Sequence, residues 1–86
     1  MGKYKIHFTR TAQKSLNKIS KQIIPKILSA ISGLSFDPFP KGSRKLTGFS
    51  SIFRIRVQNY RIIYEIIDNE IIIKILKIGH RKDIYR

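Results

Sequence analysis

The 86 residues suit one domain with one modest core, and they contain no cysteine, which excludes a disulfide scaffold and a thiolate metal site. Eighteen Lys and Arg stand against five Asp and Glu, a formal net charge of +13. The opening MGKYKIHF lacks the apolar run of a signal peptide, and Asp68, Glu70, Lys74 and Lys77 break the later apolar stretches, so neither a leader nor a membrane span is expected.

A domain needs a net charge of only roughly 2–8 to stay soluble. The excess here implies a polyanionic partner: nucleic acid, an acidic membrane surface or an acidic protein. The absence of cysteine fits a reducing cytoplasm, the expected location.

Residues 3–8 alternate, with Tyr4, Ile6 and Phe8 on one face and Lys5 and His7 on the other, which predicts a short half-buried strand. Thr9 or Thr11 can cap a following helix that carries Ala12, Leu16 and Ile19. Ser20 is a candidate cap for a second helix, whose apolar stripe runs Ile23, Ile27, Ile31 and Leu34. Pro25 near its start implies that regular turns begin a few residues after Ser20. Gly33 and the FDPFP segment end it, and the two helices form a hairpin.

Residues 35–51 are rich in Gly, Pro and Ser and read as a loop, with Leu46 as its expected buried anchor. Three β-branched and aromatic runs follow: Ile52–Val57, Tyr60–Ile67 and Glu70–Ile78. They are separated by Gln58-Asn59 and Asp68-Asn69, each short enough for a hairpin turn. The expected fold is α+β, in the order β-α-α-β-β-β, with the N-terminal helical hairpin on an antiparallel sheet in one domain over residues 1–86. The first strand must join that sheet to bury Tyr4, Ile6 and Phe8.

A two-residue loop at Gln58-Asn59 sets Val57 opposite Tyr60, Arg56 opposite Arg61 and Arg54 opposite Ile63. Opposed residues share a face. One face then carries Phe53, Ile55, Val57, Tyr60, Ile62, Tyr64 and Ile66, and belongs under the helices. The other gathers Arg54, Arg56 and Arg61. Extending the pattern through a two-residue turn at Asp68-Asn69 puts Lys74 beside Ile63 on the arginine face, together with Ile67, Ile72, Leu76 and Ile78. Apolar groups among strong charges predict a surface that a partner covers. Glu65 on the same face is either a base or an ion-pair partner for an arginine.

The chain ends KIGHRKDIYR, where His80, Arg81, Lys82 and Tyr85 follow the strand-breaking Gly79. An opening YKIHFTRTAQKSLNKI, two helices, a KLTG turn, FRIRV, NYRIIY and GHRKDIYR in this order resemble the RelE family of toxins, in the RelE/ParE superfamily, over essentially the whole chain. The resemblance implies a RelE-like fold and a ribosome-dependent endoribonuclease that cuts mRNA in the A site without metal or cofactor. It also implies an acidic RelB-like antitoxin as partner, and no membrane. The family's basic strand positions fall on Arg54 and Arg56, its strand arginine on Arg61, its late arginine on Arg81 and its C-terminal tyrosine on Tyr85.

Cleavage by the substrate's 2′-hydroxyl needs a base, an acid and cations for the phosphorane. Arg61 and Arg81 suit the last role through paired donors, and Tyr85 can stack on a base or donate a proton. Well-studied relatives carry lysines where this chain has Arg54 and Arg56, and an arginine does not give up its proton. His80 is then the best titratable candidate, as imidazole titrates near neutrality. Arg44, Lys45, Lys74, Lys77 and Lys82 are candidate phosphate contacts, and Ile63, Ile67 and Ile72 candidate antitoxin contacts. A ParE-like inhibitor of DNA gyrase and a degenerate binder of nucleic acid or antitoxin are the alternatives.

Overall fold

The computed structural model describes residues 3–80. Its elements in chain order are β1 (Lys5–Phe8), α1 (Arg10–Leu16), α2 (Ile24–Leu34), β2 (Arg44–Lys45), β3 (Ile52–Val57), β4 (Tyr60–Ile67) and β5 (Ile72–His80). The strands form one sheet in the order β1-β5-β4-β3-β2.

Thr9 starts α1. It keeps extended backbone angles, and its hydroxyl accepts the Ala12 amide at 3.1 Å, which satisfies one of the donors a helix start leaves open. The expected cap at Ser20 takes a different form. Its carbonyl accepts the Ile23 and Ile24 amides in a preliminary turn, and α2 begins at Ile24 with Pro25 in its first turn, where a missing N–H costs nothing. Ile27, Ile31 and Leu34, spaced i, i+4 and i+7, are the buried face of α2. They meet Ile55, Ile62, Tyr64, Ile66, Ile73 and Ile75 from the sheet.

The sheet is mixed rather than wholly antiparallel. β1 runs parallel to β5, from Lys5 opposite Ile72 to Phe8 opposite Ile75. Parallel neighbours need a long crossover, and here everything between β1 and β5 supplies it. The Lys5 amide on the Ile71 carbonyl and the Tyr4 hydroxyl on Asp68 Oδ1, at 2.6 Å, lock that edge.

The connection from β4 to β5 also departs from expectation. A 3₁₀ turn over Asp68–Glu70, followed by Ile71 at φ 56°, replaces the two-residue hairpin. Ile67 therefore opposes Ile72, and Lys74 opposes Glu65 instead of Ile63. Further along, Tyr64 opposes Ile75 while Ile63 opposes Lys77, so Leu76 is an extra residue in β5. This β-bulge reverses the facing of the later residues of the strand. Ile78, expected among the arginines, is buried with the helix-side core. The Thr9 hydroxyl lies 2.9 Å from the Ile75 carbonyl and 3.0 Å from that of Leu76, and the Thr9 amide donates to Ile75. One side chain thus starts a helix and holds a bulge.

The loop after α2 is anchored by Tyr64, not by Leu46, which is only half-buried. Tyr64 is fully buried and donates its hydroxyl to the Pro38 carbonyl at 2.8 Å. The Phe39 ring meets Phe53 edge-on at 5.2 Å, and Phe53 stacks on Tyr64. Burial pushes the Tyr64 phenol up to about 12, against a weaker opposing contribution from Ser43.

Replacing Thr9 with Val keeps the shape but removes both roles of the hydroxyl. Loss of a cap costs about 1–2 kcal/mol, so the melting temperature should fall by roughly 4–16 °C for a domain of this size. An unchanged melting temperature would show that the bulge and cap stand without it. Tyr64 makes the fold sensitive to alkali. Unfolded, its phenol releases a proton near 10; folded, it holds that proton to about 12. Between these values the native state binds a proton that the unfolded chain has lost, so stability falls as pH rises. Urea midpoints should decline above pH 10 more steeply for the natural chain than for Tyr64→Phe.

Candidate nucleic-acid interface

The sheet has one face under the helices and one facing away from them. Cross-strand pairing arranges the second face in rows. Arg44, Arg54, Ile63 and Lys77 form one row, and Arg56, Arg61 and Gly79 the next. A third row joins Ile52, Glu65, Lys74 and His7, and a fourth Ile67, Ile72 and Lys5. The expected Arg56–Arg61 opposition is present, and the short β2 adds a second like-charge pair, Arg44 against Arg54.

Directly opposed side chains in a sheet sit about 4.5–5.5 Å apart at Cβ, and like charges there are destabilising. Four guanidiniums in two adjacent rows therefore create a concentrated positive field on a rigid support. Glu65 sits one row further on, opposite Lys74 rather than an arginine. Arg61 is half-buried, with its Nε out of solvent, which limits the directions its fork can take. The hairpin that aligns these residues turns at Gln58 with φ 54°, the left-handed first position of a primed two-residue turn.

The remaining candidates divide between faces. Lys77 enters the arginine row because of the bulge, and Lys74 lies among the rows near Glu65. Lys45 opposes Phe53 and so belongs to the helix side of the sheet. Ile63 is buried between Arg54 and Lys77 in its row, while Ile67 and Ile72 oppose each other and are half-buried. These three do share the arginine face.

His80 is not on that face. It opposes Tyr60, and the two rings meet edge to face at 5.7 Å. They line a cleft of about 460 Å³ beside the end of α1, with Ser15, Lys18 and Ile19 on its other side. Arg61, opposite Gly79, is its neighbour across the thickness of the sheet. Arg81, Lys82 and Tyr85 lie outside the described residues. Sequence reasoning missed that Arg44 completes the cationic rows, since a two-residue strand inside a Gly/Pro/Ser loop leaves no periodic signal.

Comparison with known proteins bears on the fold and the family. The family model for the ParE toxin of type II toxin-antitoxin systems matches residues 6–85. Toxin RelG of Mycobacterium tuberculosis is 33% identical over 84 residues, covering 96% of this chain and 97% of the relative. Among solved structures, the RelE of the Pyrococcus horikoshii RelE–RelB complex superposes with a TM-score of 0.82 at 27% identity, covering 94% of this chain and 98% of that one. The RelBE2 toxin–antitoxin complex of M. tuberculosis gives 0.80 at 29%, with 91% and 98% covered. The chain belongs to the RelE/ParE toxins of type II toxin–antitoxin systems.

Proposed function

We propose that this toxin is an endoribonuclease that cuts mRNA in the ribosomal A site and that a RelB-like acidic antitoxin restrains it. The carrying observation is the face on which Arg44, Arg54, Arg56 and Arg61 occupy adjacent cross-strand rows. A phosphodiester backbone relieves that repulsion, and arginine forks match its oxygens.

In the proposed reaction the ribose 2′-hydroxyl gives up its proton to a base as its oxygen attacks the adjacent phosphorus. A new P–O bond forms, the bond to the 5′-oxygen breaks, and that oxygen takes a proton from an acid. The substrate supplies the nucleophile, so the protein must supply charge and proton transfer. Arg54, Arg56 and Arg61 hold the non-bridging oxygens and stabilise the phosphorane, with Arg81 as a further cation and Tyr85 as a ring for a displaced base. Arginine does not act as the base. His80 takes a proton-transfer role at the strand end, where the chain passes from Gly79 on the open face to His80 on the other. An RNA strand bending over that end meets both. Lys45, Lys74, Lys77 and Lys82 add phosphate contacts along the approach.

The solved RelE–RelB complexes support the antitoxin reading. On this chain an acidic amphipathic segment fits the open face, with apolar groups on Ile63, Ile67 and Ile72 and carboxylates on the arginines. The ParE description of the family model supports the ParE branch as a second reading, and the sequence resemblance associates that branch with inhibition of DNA gyrase.

With purified translating ribosomes, the wild type should cut the A-site codon, and Arg61→Ala should slow cutting by about 10²–10³, the loss typical of removing one transition-state donor. Intact message together with blocked gyrase supercoiling would install the ParE reading instead. On single-stranded RNA, Arg54→Gln or Arg56→Gln should flatten the dependence of log affinity on log salt by about 0.7 per arginine. Arg56→Gln should also raise the melting temperature, because the opposed pair is gone. A lower melting temperature would mean that the guanidinium stabilises the face it crowds.

A further inference from the structure

β2 pairs only with Phe53 and Arg54, so the outer edge of β3 from Ile55 to Val57 carries no strand among the described residues. A cleft of about 530 Å³ opens beside this edge, within the roughly 300–1,000 Å³ of small-molecule sites. Ile55 together with Ala30 and Gly33 of α2 gives it apolar walls. The opposite side is a tight turn, where the Ser43 amide donates to the Pro40 carbonyl at 2.9 Å and Gly42 sits at φ 92°, the geometry of a type II turn. The charged lining is Arg44, Arg54, Arg56 and Lys41, with no carboxylate among the described lining residues.

We propose that this cleft is a subsite for one nucleotide of bound RNA. The proposal rests on the RNA-directed reading of the open face, whose Arg54 and Arg56 also line the cleft. The cationic surface thereby continues around the sheet edge into a recess. A phosphate sits on the arginines, while ribose and base lie against Ile55, Ala30 and Gly33, with a guanidinium plane available for stacking. Hydrogen-bonding direction alternates along β3, so Arg56, like Arg54, turns its N–H and C=O toward the outer edge, within reach of a base edge. An added Cβ at Gly33 would meet nothing within 4 Å. A peptide strand added to β3 would lie in the plane of the sheet and leave the recess over Gly33 empty. A base fills it.

Gly33 lies inside α2 without a positive φ, so a larger side chain there fills the cleft without backbone strain. Fluorescence anisotropy with a labelled oligoadenylate triplet should show at least fivefold weaker binding for Gly33→Leu, and for Gly33→Met as a second variant, with melting temperatures no lower than wild type. Ser32→Leu adds the same bulk one residue earlier, outside the cleft, and should bind as wild type does. Equal affinity for Gly33→Leu and wild type overturns the subsite, as does a wild type that fails to bind the triplet. Loss of polyglutamate binding in Gly33→Leu with triplet binding intact also overturns it and gives the edge to an acidic peptide. The readout separates this proposal from the cleavage reading. Weakened triplet binding in Gly33→Leu, alongside a wild type that leaves ribosome-bound mRNA whole, upholds the subsite and sinks the nuclease. Cutting and binding unchanged in Gly33→Leu sink the subsite alone.

Discussion

The bulge at Leu76 decides which side chains this toxin presents on each face. In a strand the facing alternates strictly, so one extra residue reverses everything beyond it. Ile73 and Ile75 face the helices before the bulge, and Ile78 and His80 do so after it. An uninterrupted strand would send Lys77 under the helices, where an unpaired ammonium is costly, and would leave Ile78 among arginines. The disrupted ladder exposes carbonyls that need a donor. Thr9 supplies it from the start of α1, so the same contact also fixes where that helix sits against β5.

The sheet below that contact carries two opposing tendencies. The helix side buries isoleucines and Tyr64 and stabilises the domain. The open side sets Arg44 against Arg54 and Arg56 against Arg61, inside a molecule of net charge +13. Any polyanion that binds the folded form stabilises it by mass action, and here it also removes a repulsion built into the rows. Under the proposed function, RNA and antitoxin neutralise the same guanidiniums. Their competition then requires no conformational switch, only the mutual exclusion of two polyanions on one face.

Much of this was legible from alternation alone. Two residues between Val57 and Tyr60 fixed the Arg56–Arg61 pair, because register in a hairpin is set by turn length. The apolar stripe of α2 was equally clear. The failures cluster where local sequence underdetermines geometry. Asp68-Asn69 suggested a two-residue turn, but the chain continues through Glu70 and leaves Ile71 at positive φ, a conformation a β-branched residue does not signal. The bulge has no glycine to mark it, so the facing of Ile78, Lys77 and His80 could not be read. Arg44 and the cleft beside β3 arise from contacts between distant segments, which no periodicity encodes.

The facing of His80 bears directly on the chemistry. Positions 54 and 56 of the open face are arginines, which bind phosphate but do not exchange protons near neutral pH. Besides its arginines and lysines, the open face carries one carboxylate, Glu65, beside Lys74, and one imidazole, His7, opposite Lys74 and two rows from Arg56 and Arg61. His80 looks the other way, against Tyr60. Under the proposed function, phosphate binding falls to the open face and proton transfer by His80 to the other side of the same strand end, one residue from Gly79. Such a site is complete only when the substrate wraps the end of β4 and β5, so a short RNA lying flat across the arginines would be bound without being cut. Under that proposal the ribosome would have a physical role, because an RNA held bent by a larger assembly reaches both sides at once.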